Sequence, residues 1–147
     1  VYAIDVSPAA IELAKANGTQ LGLEVDIRIG DLFDALQRRL RGAVDLLISN
    51  PPSLAEAEID TLPREIREYE PLQALVAGAG GTEVLARIAA DGVEWLSPGG
   101  VIACEIGETQ AGCCLELFAA YDPRIERDLA GRARYVLGRA PQRRRVH

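Results

Sequence analysis

Three short apolar runs that stop on polar residues, separated by stretches of helical spacing, limit the fold of this chain more than any other feature. Val1-Tyr2-Ala3-Ile4 stops at Asp5, and Val44-Asp45-Leu46-Leu47-Ile48 stops at Ser49-Asn50-Pro51-Pro52. Val101-Ile102-Ala103-Cys104-Glu105-Ile106 follows a Ser97-Pro98-Gly99-Gly100 turn. Runs this short and this apolar read as buried strands. Val25-Asp26-Ile27-Arg28-Ile29 alternates like a half-exposed strand and ends at Gly30-Asp31. Ser7 can cap a helix whose first position Pro8 fits, Ile11, Leu13 and Ala14 continue it, and Asn17-Gly18 is expected to stop it. A short helical piece should run through Leu40. Thr82 to Leu96 carries Leu85, Ile88, Ala89 and Leu96 on one helical face, and Thr109 to Tyr121 reads as another helix. Ile125 to Asp128 and Ala133 to Leu137 read as two closing strands. The stretch from Ser53 to Gly81 is acidic, irregular and broken by Pro63 and Pro71, as a functional or mobile loop would be. Strands alternating with helices predict an α/β fold, with a largely parallel sheet and helices on both faces. Ligands in such sheets bind beyond the carboxyl ends of the strands, where Asp5, Asp31 and Asn50 stand.

Composition excludes several classes of function. The formal net charge of −6 argues against a dedicated nucleic-acid binder, which needs a basic face. Arg143-Arg144-Arg145 is read as a solvated end. No apolar run reaches the length of a membrane span, so a soluble, cytoplasmic protein is expected. The three cysteines, Cys104, Cys113 and Cys114, have no zinc-ligand spacing and are expected as reduced thiols; no metal site is predicted. The only histidine is His147, which removes histidine-based acid–base chemistry. A length of 147 residues suits one domain. The chain has no methionine and opens directly on a strand at Val1, so a natural N-terminal portion is expected to precede it.

The polar residues at the strand ends define the chemistry. An acidic side chain at Asp5 can accept hydrogen bonds from both hydroxyls of a nucleoside ribose, or serve as a helix-entry turn residue. In Gly30-Asp31-Leu32-Phe33 the glycine permits a tight turn, the aspartate can bond an adenine amino group, and the ring can cover the adenine or pack in the core. Asn50-Pro51-Pro52 is the sharpest signal. Two prolines after a buried strand stiffen the backbone and remove two amide donors, leaving carbonyls as acceptors. The Asn50 carboxamide adds a donor and an acceptor. Such a set can hold an amino group attached to a planar carbonyl or ring and aim its nitrogen at an electrophilic methyl; a purely rigid turn is the plainer alternative. A sulfonium methyl is already activated, so the site mainly supplies proximity and alignment.

Several segments in order carry a family resemblance: Asp5, Gly30-Asp31-Leu32-Phe33, Ser49-Asn50-Pro51-Pro52, Glu70-Pro71 with Ala74-Leu75, Leu96-Ser97-Pro98-Gly99-Gly100, Glu105-Ile106-Gly107 and Asp128-Leu129-Ala130-Gly131-Arg132. From Val1 to about Arg139 the chain resembles the HemK/PrmC family of peptide chain release factor N5-glutamine methyltransferases. The resemblance implies a Rossmann-like class I methyltransferase sheet that uses S-adenosylmethionine, with the glutamine of the Gly-Gly-Gln loop of release factors as substrate. It implies Asp5, Asp31, Phe33 and Asn50 as cofactor-binding residues. Asn50, Pro51, Pro52 and Ser53 would bind substrate, with Asn50 and Pro51 as the catalytic pair. Residues 1–140 would then be a partial catalytic domain and 141–147 a basic, disordered tail.

Three departures from the family accompany the resemblance. Ser53 stands where the family has a tyrosine that packs on the substrate amide. The stretch Val76-Ala77-Gly78-Ala79-Gly80-Gly81 lacks acidic and glycine positions usual in the family. The family's first strand with its Gly-rich loop, and its helical N-terminal domain, would precede Val1. That strand would lie centrally between those of Ile4 and Leu47, and without it backbone groups would be left unpaired. Two other functions remain open: an amino methyltransferase acting on nucleic acid, which shares Asn-Pro-Pro, and a truncated remnant without catalysis.

Overall fold

A computed structural model describes residues 1–142; of the expected basic tail, 141–147, residues 143–147 lie outside the described residues. The chain divides into two compact units, Val1–Leu40 and a second beginning at Arg41.

The first unit is a strand–helix–strand unit. β1 (Tyr2–Asp5) pairs in parallel with β2 (Asp26–Ile29), in a register that sets Asp5 opposite Ile29. Between them runs α1 (Pro8–Gln20). Ser7 caps it in an extended conformation, its side chain accepting from the Ala10 amide at 3.3 Å, with Pro8 at the helix start where a missing N–H costs nothing. The helix does not stop at Asn17-Gly18 as the sequence suggested. It continues to Gln20 and closes at Gly22, whose φ of 64° is the left-handed value that releases the chain. The amides of Leu23 and Gly22 bond the carbonyls of Gly18 (2.9 Å) and Thr19 (3.2 Å), the two crossed bonds of a Schellman end. Two 3₁₀ turns, Leu32–Ala35 and Arg38–Leu40, replace the expected helical piece.

The second unit is built on a four-stranded sheet in the order β3-β6-β8-β7. β3 (Val44–Ser49) pairs in parallel with β6 (Leu96–Glu105), while β6 pairs antiparallel with β8 (Ala133–Arg139), and β8 with β7 (Arg124–Arg127). This sheet is therefore mixed rather than largely parallel: β7 and β8 are joined by a few residues, and so short a link can only return antiparallel. Ser97–Gly100, expected as a free turn, lies inside β6 as an irregularity. Gly99 has φ 78°, Ser97 Oγ donates to Asp45 at 2.9 Å, and a Cβ on Gly100 would stand 2.9 Å from the Val44 carbonyl oxygen. The two glycines thus let the strand pass close to β3 while shifting register.

The long acidic stretch is not a bare loop. It holds β4 (Leu54–Ala55), a 3₁₀ turn at Glu56–Thr61, α2 (Arg64–Tyr69), α3 (Leu72–Leu75) and β5 (Val76–Gly78), with β4 and β5 paired in parallel. Its prolines start elements instead of breaking them: Pro63 and Pro71 each stand just before a helix. α4 (Glu83–Trp95) follows and buries Leu85, Ile88, Ala89, Gly92 and Trp95, the residues that recur every three or four positions. α5 (Ala111–Leu117) buries Cys114. Together with Ile102, Cys104, Phe118, Tyr121 and Val136 these residues form the core of the second unit. Full burial of a Leu or Ile side chain, as at Leu85 and Ile88, contributes about 1.5–3 kcal/mol each. The Tyr121 hydroxyl donates to the Ala89 carbonyl at 2.6 Å, so the one polar atom of that ring is satisfied inside the core.

Candidate functional site

The first unit assembles one group of candidate residues at a single end of its parallel pair. Asp5 is the last residue of β1, and the Gly30 amide donates to its carbonyl at 3.0 Å, so the turn after β2 is tied to the end of β1. Asp5 is exposed, and its Oδ1 accepts from the Ser7 amide at 2.8 Å, which orients the carboxylate at the entry to α1. Gly30 is required sterically, because a Cβ there would fall 2.5 Å from the Ala35 Cβ. Asp31 is exposed directly after this turn, and Phe33 is half-buried in the following 3₁₀ turn. Leu32 takes φ 48°, which bends the chain between them. The structure therefore brings Asp5 and the Gly30-Asp31 turn together, as the alternation of strands and helices anticipated.

The second unit presents the other group at the carboxyl end of β3. Ser49 pairs with Cys104 of β6, and the next residue, Asn50, is exposed. Pro51 is buried, and Pro52 and Ser53 are half-buried. The exposed Asn50 carboxamide makes no hydrogen bond among the described residues. The backbone that carries it is held from its far side: the Ser53 amide donates to the Leu75 carbonyl at 3.1 Å, immediately before β4 begins. Asp5, Asp31 and Phe33 thus belong to the first unit, and Asn50 to Ser53 to the second.

Sequence reasoning missed one residue that is tied to the Ser53 backbone. Gln110 stands in a 3₁₀ turn, Glu108–Gln110, just past the end of β6. Its Oε1 accepts from the Gly107 amide at 2.8 Å, and its Nε2 donates to the Ser53 carbonyl at 2.7 Å and to the Gly81 carbonyl at 2.9 Å. Gly81 is buried with φ 76°, and a Cβ on it would stand 2.8 Å from the Ala55 nitrogen and 3.0 Å from the Ser53 oxygen. The signal available in the sequence was slight: a glutamine three residues after a glycine at a strand end can turn its amide back onto that glycine, as in a capping box. Its partners at Ser53 and Gly81 are 57 and 29 residues away.

Comparison with known proteins adds the following. No protein-family model matches the sequence. The chain is 34% identical over 142 residues to a release factor glutamine methyltransferase of Koribacter versatilis, covering 96% of this chain and 50% of that protein. It is 37% identical to the protein of the same name from Rhodopirellula baltica, covering 92% of this chain and 47% of the relative. The chain thus spans about half the length of the curated relatives it matches. Among solved structures, a methyltransferase from Pyrococcus furiosus superposes with a TM-score of 0.66 at 16% identity, over 96% of this chain and 62% of that one. An rRNA methylase from Streptococcus thermophilus superposes with a TM-score of 0.57 at 16% identity, over 97% and 74% of the two chains. These likenesses establish the Rossmann-like fold of a methyltransferase, and the identities near one third over almost the whole chain establish descent. Over almost its whole length the chain is similar to one half of the release factor glutamine methyltransferases of the HemK/PrmC family.

Proposed function

We propose that this chain carries part of the catalytic domain of an S-adenosylmethionine-dependent methyltransferase that modifies the side-chain amide nitrogen of a protein glutamine, the Gly-Gly-Gln glutamine of peptide chain release factors. The observation that carries the proposal is the Asn50 carboxamide, exposed and unbonded at the carboxyl end of a parallel strand and followed by two prolines and a tethered Ser53. In this reading the Asn50 side-chain oxygen and the Pro51 carbonyl accept the two N–H groups of the substrate amide. The prolines have no amide hydrogen to compete for those acceptors. Fixing the amide this way polarises it and presents the nitrogen for in-line transfer, a gain in alignment that needs no histidine. Pro52 and Ser53 border the substrate, and the smaller Ser53 leaves open the space a tyrosine ring would fill.

S-Adenosylmethionine fits the first unit: its ribose hydroxyls match Asp5, its adenine amino group matches Asp31, and Phe33 lies in the same turn to cover the ring. When bound it supplies a methyl group already activated by a positive sulfur. Asp5 and Asp31, set at one end of the parallel pair and tied through the Gly30 amide, support this assignment. No helix among the described residues is long and apolar enough to cross a membrane. A substrate of the translation machinery places the proposed activity in the cytoplasm, with protein rather than nucleic acid or membrane as the direct partner.

The test combines calorimetric titration of S-adenosylmethionine with a transfer assay using methyl-labelled cofactor, a class 1 release factor, and the same factor with its Gly-Gly-Gln glutamine replaced. The expected result is micromolar cofactor binding and label on the intact factor only, lost in Asn50→Ala. Label on RNA or DNA would transfer the reading to a nucleic-acid amino methyltransferase. Neither binding nor label from the protein carrying this sequence would leave a non-catalytic remnant.

A further inference from the structure

We infer that Gln110 is a positioning residue: its carboxamide fixes where the Asn50–Ser53 segment lies, and so where the substrate amide would be held. The inference rests on the functional reading above for what is positioned; the positioning itself stands on geometry. A primary carboxamide has two N–H donors and a carbonyl acceptor. At Gln110 both hydrogens are used on backbone carbonyls, Ser53 at 2.7 Å and Gly81 at 2.9 Å, and the oxygen accepts from the Gly107 amide at 2.8 Å. One side chain therefore joins three segments: the stretch leaving Asn50-Pro51-Pro52, the turn into α4, and the end of β6. Each partner is main chain, so the contact sets backbone position rather than side-chain orientation. Ser53 is held on both sides, by its amide on the Leu75 carbonyl and by its carbonyl on Gln110. The bare Gly81 is what allows this approach, since any Cβ there would enter the backbone from Ser53 to Ala55. Neither donor could come from a carboxylate, so glutamate is not an equivalent residue here even though it matches glutamine in size.

The experiment compares wild type, Gln110→Ala and Gln110→Glu by amide hydrogen exchange and, in parallel, by methyl transfer to a release factor. Both variants should speed exchange at Ser53 by roughly tenfold, the change expected when a hydrogen bond that holds the segment is lost. Exchange at Gly107 should rise in Gln110→Ala and much less in Gln110→Glu, whose carboxylate still accepts from that amide. Amides of Ile102 and Val136 in the core strands should be unaffected. In the transfer assay both variants should lose kcat by roughly tenfold or more with a much smaller change in the KM for S-adenosylmethionine, because of the four cofactor residues only Asn50 lies in the segment Gln110 holds, while Asp5, Asp31 and Phe33 belong to the first unit. Unchanged exchange at Ser53 in both variants would overturn the inference, as would faster exchange with wild-type kcat. A wild-type protein that transfers no methyl group would defeat the functional reading instead, while the exchange comparison would still decide whether Gln110 holds the segment.

Discussion

Replacing Gly81 with alanine tests the packing of the candidate site on a scale the geometry sets. Two separate penalties fall on the new Cβ. The backbone φ of 76° is left-handed, which costs an L-residue about 1–2 kcal/mol. The Cβ would also stand 2.8 Å from the Ala55 nitrogen, 3.0 Å from the Ser53 oxygen and 3.1 Å from the Leu54 carbonyl carbon. All three are main-chain atoms of a paired segment, so β4 must shift, and overpacking of this kind costs about 1–3 kcal/mol. The sum is about 2–5 kcal/mol, a large part of the 5–15 kcal/mol typical of a domain. Gly131→Ala supplies the control: its φ is 81°, but nothing lies within 4 Å of the added methyl group, so it carries only the first penalty. Both glycines lie in the second unit, as does the single tryptophan, Trp95, which is buried and reports unfolding of that unit by fluorescence. In urea, Gly131→Ala should lower the midpoint modestly, and Gly81→Ala should lower it by a further ~1 M at unchanged slope. Equal midpoints for the two variants would refute the close approach of Gly81 to the Ser53–Ala55 backbone, and with it the tight seat of the candidate site.

Three other outcomes follow from the same structure. Burial pushes the thiol of Cys104 up to about 12 and that of Cys114 up to about 11, and burial likewise pushes the Tyr121 phenol up to about 12. These groups ionise earlier when unfolded, so stability should be intact below pH 9 and fall between pH 9 and about 12; urea midpoints across that range should fall less steeply in Cys104→Ala. Cys113 is exposed while Cys104 and Cys114 are buried, so a thiol reagent should label one cysteine quickly and three after denaturation, and Cys113→Ser should abolish the fast phase. Asp128 accepts from the Ala130 and Arg132 amides and pairs with the Arg132 guanidinium, contacts that hold its carboxyl below the usual range, the Arg132 amide first. Its contribution is therefore present above pH 4 and lost as pH falls through the lowered value, and Asp128→Asn should speed amide exchange at Ala130 and Arg132 at neutral pH.

The parts of this protein legible in its sequence are those governed by neighbours along the chain. β1, β3 and the apolar core of β6 are announced by short apolar runs, α4 by apolar spacing, and the start of α1 by Ser7-Pro8, but the burial expected of such runs holds for β6 alone, since no residue of β1 or β3 is buried. Asp5, Asp31 and Asn50 could be placed at strand ends because a strand end is a local event. The end of α1 was misread because Asn17-Gly18 carries the same local signal as the true stop at Gly22, and only the crossed bonds to Gly18 and Thr19 choose between them. The order β3-β6-β8-β7, the glycine-lined irregularity within β6, and the short elements of the acidic stretch were decided by tertiary contact. So was Gln110, whose carboxamide has nothing unusual in sequence and finds its partners across gaps of 57 and 29 residues. The sequence alone determined which polar side chains stand at the strand ends, since residue type and strand boundary are both local. Only the tertiary structure decided what holds them in place, because hydrogen bonds between backbone segments distant along the chain leave no pattern in the residues that make them.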